Sequence, residues 1–159
     1  PKVEYEALVR IGTYLGVPVR WASVQEAADY LLSISKSFGP HTPEQWLALT
    51  RPMLKAVDDD QGAGFVLHYD PAIAVPFRAV TPAVAAAGEA ATWAAYARVQ
   101  CPVLLLRGAD SDLLSRETAL AMTTRGPKAK LREFAGIGHA PTLIAPDQIA
   151  VVREFLLPP

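Results

Sequence analysis

Pro102-Val103-Leu104-Leu105-Leu106-Arg107-Gly108-Ala109-Asp110-Ser111-Asp112-Leu113-Leu114-Ser115 is the stretch that decides the fold. Its first five residues form a short, continuous apolar run, the mark of a strand buried on both faces in a parallel sheet. A polar loop follows. Ser115 then reads as the N-cap of a helix to Arg125, with Glu117 in its first turn and Gly126-Pro127 as the stop signal. Ala129 to Phe134 reads as a second strand, and its interleaved Lys130, Arg132 and Glu133 suit an edge position with one face in water. Gly136-Ile137-Gly138-His139-Ala140-Pro141 makes the next loop. Pro146 to Leu157 completes the segment as an amphipathic helix with Ile149, Val152, Phe155 and Leu156 on one face. Strand, helix, strand, helix in this order predicts an α/β fold with a right-handed parallel βαβ unit.

Working outward, the first half reads as helices broken by proline and glycine. Tyr5, Leu8, Val9, Ile11 and Leu15 recur at helical spacing before Gly16 and Pro18. Ser23 predicts a second N-cap, with Glu26 as its capping-box partner, and Gly39-Pro40 ends that helix. Thr42-Pro43-Glu44 opens a third, carrying Trp46, Leu47, Leu49, Met53 and Leu54, with a break expected at Pro52. Residues 58 to 82 look irregular, apart from a turn at Asp58-Asp59-Asp60-Gln61-Gly62 and a short strand at Phe65 to Tyr69. Within an alanine-rich stretch, a further helix is expected from Glu89 to Arg98. No internal repeat appears.

Composition narrows the function classes. The chain has 159 residues, 51% of them hydrophobic, enough for one domain with a core. Fifteen basic against 16 acidic residues give no general attraction to nucleic acid or to an anionic membrane, so neither is expected as a partner. A single cysteine excludes an internal disulfide framework and a Cys-cluster zinc site, and fits a reducing, cytoplasmic setting. No apolar stretch reaches the roughly 20 residues of a membrane span. Pro1-Lys2-Val3-Glu4 shows no charged region leading into an apolar one, so no signal peptide is expected.

In open parallel sheets, ligands bind beyond the carboxyl ends of the strands. Both polar loops fall there. Neighbouring strands lie about 4.8 Å apart, so an acid on the first loop and His139 on the second start from adjacent positions on one rim. A carboxylate there can hold the Nδ1–H of an imidazole and support the imidazolium formed during proton transfer. Spacing alone does not choose between Asp110 and Asp112, and Asp112 could instead cap the helix that starts near Ser115. Other candidates carry less chemistry. His41 reads as a loop or helix-start residue, and His68 as a pocket-lining candidate. Asp58-Asp59-Asp60 lacks the spaced ligands and closing glutamate of a calcium loop, so it reads as a solvated turn, and no metal site is expected. Cys101 sits at the amino end of its strand, the wrong rim for a nucleophile. Trp21, Trp46 and Trp93 read as core or lid packing.

The run from Pro102 to Ser115, followed by Gly136-Ile137-Gly138-His139-Ala140-Pro141, resembles the C-terminal part of the α/β-hydrolase superfamily, and more narrowly its bacterial esterase-like members. The resemblance covers residues 99 to 159, the last two parallel strands with their helices. The first half, residues 1 to 98, is similar to the mainly helical lid inserted in such enzymes. The resemblance implies that Asp112 is the acid and His139 the general base of a triad, with Asp110 as the alternative acid. It implies hydrolysis of a small or medium ester with an apolar portion, with no cofactor. The nucleophile motif Gly-x-Ser-x-Gly does not occur: Ser23, Ser33, Ser35, Ser37, Ser111 and Ser115 all lack glycine two positions away on both sides. The expectation is therefore a lid plus C-terminal piece of a longer hydrolase, inactive by itself. A piece of this kind leaves a sheet edge uncovered, through which two copies could pair as a homodimer. Carbon–carbon bond hydrolysis or dehalogenation within the same fold, and a stand-alone interaction domain without catalysis, are the competing readings.

Overall fold

The computed structural model describes residues 1–139 and 141–157, so Ala140 of the histidine loop lies outside the described residues. The elements are α1 (Tyr5–Tyr14), β1 (Arg20–Trp21), α2 (Val24–Ile34), α3 (Pro43–Thr50), β2 (Leu54–Asp59), β3 (Gly62–Leu67), α4 (Ala74–Arg78), α5 (Pro82–Ala97), β4 (Leu104–Gly108), α6 (Arg116–Thr124), β5 (Lys130–Phe134) and α7 (Pro146–Leu156). No single helix among the described residues is long and apolar enough to cross a membrane.

The chain divides into two compact units. The first comprises Pro1–Arg10, Ser37–Gly39 and the chain from Ala79 onward; the second comprises Ile11–Lys36 and Pro40–Arg78. This division differs from a single cut between residues 98 and 99. The reason is packing: α5 belongs to the first unit because Tyr96, buried with Met122 and Ala129, donates its hydroxyl to Met122 O at 2.8 Å. Thr92 of α5 also donates to the carbonyl of Pro1.

In the first unit, β4 and β5 pair in parallel, from Leu104↔Lys130 to Gly108↔Phe134. Successive strand residues face opposite sides. Leu105 packs with the Tyr96–Met122 cluster, together with Trp93, Val103 and Leu114. Leu104 instead lies beside Val151 and Phe155 of α7. The apolar run is half-buried rather than fully buried. Among the described residues only β5 pairs with β4, so one strand edge has no partner. Ser115 caps α6 by accepting from Thr118 N, which leaves Asp112 free of a capping role.

The second unit contains more sheet than its sequence suggests. β1, β3 and β2 form a three-stranded antiparallel sheet in that order. The hairpin pairs Leu54↔Leu67 through Asp59↔Gly62, so Leu54 starts a strand instead of closing the third helix. Pro52 accounts for the change: α3 ends at Thr50, a 3-10 turn covers Arg51–Met53, and the chain then runs extended. α2 packs beside β1 and against α3. Ser23 caps α2 by accepting from Glu26 N, and Thr42 with Gln45 makes a complete capping box on α3. Trp21 and Trp46 are 4% and 6% exposed, and the Trp46 indole donates to Ala28 O at 2.8 Å.

Candidate acid–base site

Gly108 and Phe134 end their strands side by side, so both loops leave from one rim. The loops then bond across to each other: Ala109 N donates to Phe134 O at 2.8 Å, and Asp110 N to Ile137 O at 2.9 Å. The crossing is close enough that a Cβ on Gly108 would overlap the carbonyl oxygens of Ile137 and Gly138. Gly136, at φ +69°, turns the chain out of β5 in the left-handed region that favours glycine. Ile137 is buried, and Gly138 N donates to Ser37 O. Beyond the histidine, Leu143 N donates to Oε1 of buried Gln148 on α7 at 2.8 Å, which ties down the exit of the loop.

The acid loop is anchored from inside by Arg107, only 5% exposed. Its guanidinium donates to Leu114 O (2.7 Å), Ala109 O (3.0 Å), Ser111 O (3.2 Å) and Glu133 Oε1 (2.8 Å). From outside, Glu4 N donates to Leu113 O at 3.1 Å, and Arg10 of α1 forms an ion pair with Asp112. The hydrogen bond from Arg10 holds the Asp112 carboxyl below the usual carboxylate range; partial burial opposes that shift, and the charges of Arg10 and His139 add to it. Asp112 is therefore ionised at neutral pH and lies within the field of the imidazole. Its side chain is 52% exposed, so solvent screens these interactions.

Thus Asp110, Asp112 and His139 are gathered on one rim. Asp110 and His139 are exposed. Among the described residues no hydrogen bond joins Asp112 to His139: the carboxylate meets Arg10 instead. A neutral imidazole beside an ionised carboxylate can accept a proton and hold it as a stabilised cation, which is the chemistry of a general base with its orienting acid.

The other candidates fall elsewhere. His41 precedes the α3 cap, its ring 5.4 Å from that of Trp46 in an edge-to-face contact. His68 lines a cavity of about 570 Å³ in the second unit with Val17, Lys55, Val66 and Tyr69. Asp59 accepts from Gln61 N and pairs with Arg20 of β1 at 3.0 Å. Cys101 is exposed ahead of β4, at the opposite end from the rim.

Three residues that build the site were not singled out from the sequence. Arg107 could have been: a cation in an otherwise apolar strand is buried only when fully paired. Gly108 carried a weaker signal, a glycine closing a strand where another backbone approaches. Arg10 carried none, because it meets Asp112 across 102 residues of sequence.

No protein-family model matches the chain. It is 50% identical over 155 residues to a 3-hydroxybutyrate-oligomer hydrolase of Cupriavidus necator, covering 98% of this chain and 53% of that protein. Among solved structures it resembles an α/β hydrolase from Novosphingobium aromaticivorans, with TM-score 0.75 and 34% identity over 98% of this chain and 53% of the other. It also shares its fold with E-2-(acetamidomethylene)succinate hydrolase, at TM-score 0.72 and 18% identity over 98% and 54% of the two chains. The chain spans about half the length of these relatives. These likenesses show it to be a portion of an α/β-hydrolase fold.

Proposed function

We propose that this portion of an α/β-hydrolase supplies the acid and base of a serine-type ester hydrolase whose substrates are short oligomers of 3-hydroxybutyrate or a similar hydroxy acid. The observation that carries the reading is the rim itself: Asp112 and His139 leave from the ends of adjacent parallel strands, with the acid ionised and under the influence of the imidazole. The substrate class is supported by the likeness to the Cupriavidus necator hydrolase. Such oligomers are chains of esters with small methyl branches, which agrees with an ester having an apolar portion.

In this mechanism a serine outside the 159 residues attacks the ester carbonyl while His139 takes its proton. The tetrahedral intermediate collapses, the carbon–oxygen bond to the alcohol breaks, and the imidazolium returns the proton to the leaving oxygen. Water, activated by the same histidine, then releases the acid. Asp112 holds the imidazole in the required tautomer, which requires its carboxylate to turn from Arg10 towards the ring. Asp110 is the alternative acid. Residues 1 to 98 act as the lid that shapes the pocket and excludes water. No metal or organic cofactor enters these steps.

The test uses the full-length protein and 3-hydroxybutyrate trimer, followed by acid release. His139→Ala is expected to lower kcat by about 10³-fold or more, as removal of a triad member does. A variant that keeps activity within about tenfold of the parent removes His139 from the mechanism.

A further inference from the structure

We propose that Arg107 is a positioning residue for the acid, holding the main chain on both sides of Asp112 so that its carboxylate reaches the rim. A buried guanidinium is costly unless every part of it is satisfied. Here Nε and both Nη atoms are used. Three of the four acceptors are main-chain carbonyls of the acid loop: Ala109 and Ser111 before Asp112, and Leu114 after it. The loop therefore folds around one cation, and the Ser111 hydroxyl closes the turn by accepting from Leu114 N at 3.3 Å. Glu133, directly across the strand pair, fixes the guanidinium from the other side and is also within 3.6 Å of Arg116.

This arrangement needs a planar fork of donors. Lysine keeps the charge but offers a single ammonium that cannot meet acceptors spread over Ala109, Ser111, Leu114 and Glu133. The loop carbonyls would then turn, and Asp112 with them, while the strand pairing and the cluster around Tyr96 stay in place. A displacement of about 1 Å at an orienting group lowers the rate while leaving substrate binding nearly unchanged.

The role rests on the ester-hydrolase reading with Asp112 as acid, and its test separates the two. Hydrolysis of 3-hydroxybutyrate trimer by the full-length protein is measured for Arg107→Lys, Asp112→Asn and the double variant, with Glu133→Gln as a milder perturbation of the same guanidinium. Arg107→Lys is expected to lower kcat by about 10- to 100-fold with KM little changed. In the Asp112→Asn background the same change costs less than about twofold, since both act through one group. Glu133→Gln shifts kcat in the same direction by less.

Equal losses from Arg107→Lys in both backgrounds, or an unchanged kcat, overturn the positioning role. Should Arg107→Lys fail to unfold cooperatively, Glu133→Gln with and without Asp112→Asn makes the same comparison. Hydrolysis that is absent from the parent, or that survives His139→Ala, overturns the ester-hydrolase reading and the Arg107 role with it. Hydrolysis abolished by His139→Ala but indifferent to Arg107 and Glu133 overturns the Arg107 role alone.

Discussion

The two units of this chain are built by different means. In the first, the rim loops are held backbone to backbone: Ala109 and Asp110 donate to the neighbouring loop, Gly108 admits a crossing with no room for a side chain, and Arg107 gathers three carbonyls. In the second, the order comes from packed side chains: Trp21, Ala27, Ala28, Leu31 and Trp46 are among its buried residues, and polar groups cap helix starts. The difference teaches what each kind of packing is for. Main-chain hydrogen bonds fix loop atoms with little freedom, which suits groups that must meet a reacting atom. Side-chain packing sets a shape that tolerates volume-conserving change, which suits the walls of a pocket.

That contrast is open to direct attack. Gly108→Ala is expected to be the most damaging small substitution, because a single methyl meets two carbonyl oxygens that belong to the other loop. We expect a loss of about 3 kcal/mol in chemical denaturation, at the upper end for overpacking, together with loss of hydrolysis. A loss below about 1 kcal/mol would mean that the loops can separate without consequence. Trp46→Phe probes the other unit, removing one buried hydrogen bond to Ala28 O and a little volume. It is expected to cost about 1–2 kcal/mol in the same measurement. A cost equal to that of Gly108→Ala would erase the distinction between the two kinds of packing.

Much of the first unit was legible in the sequence because its signals are local. Pro102 to Leu106 marks a strand, Ser115 a cap and Gly126-Pro127 a stop, and each does so within a few residues. The structure places the paired strands at Leu104–Gly108 and Lys130–Phe134, with both loops on one rim. Asp110, Asp112 and His139 could be named together for that reason. The failures were of pairings between distant segments. Leu54-Lys55-Ala56-Val57 has no strong strand pattern of its own, and its extended form follows from pairing with Gly64–Leu67 of β3. Nothing in the alanine-rich sequence of α5 reveals that Tyr96 reaches Met122. Arg10 was invisible as a partner of Asp112 for the same reason. Arg107 was legible in principle, as a buried cation in need of acceptors, but the acceptors themselves are backbone atoms without a sequence signature.

The central claim is that Asp112, not Asp110, is the acid that serves His139, and it is tested most directly by neutralising each in turn. Asp112→Asn and Asp110→Asn are isosteric, and 3-hydroxybutyrate trimer hydrolysis by the full-length protein reads both. The account predicts a fall in kcat of about 10³- to 10⁴-fold for Asp112→Asn, the scale seen when a triad acid is neutralised, and a change of less than about fivefold for Asp110→Asn. The reverse pattern would transfer the acid role to Asp110, and indifference to both substitutions would contradict the acid–base rim itself.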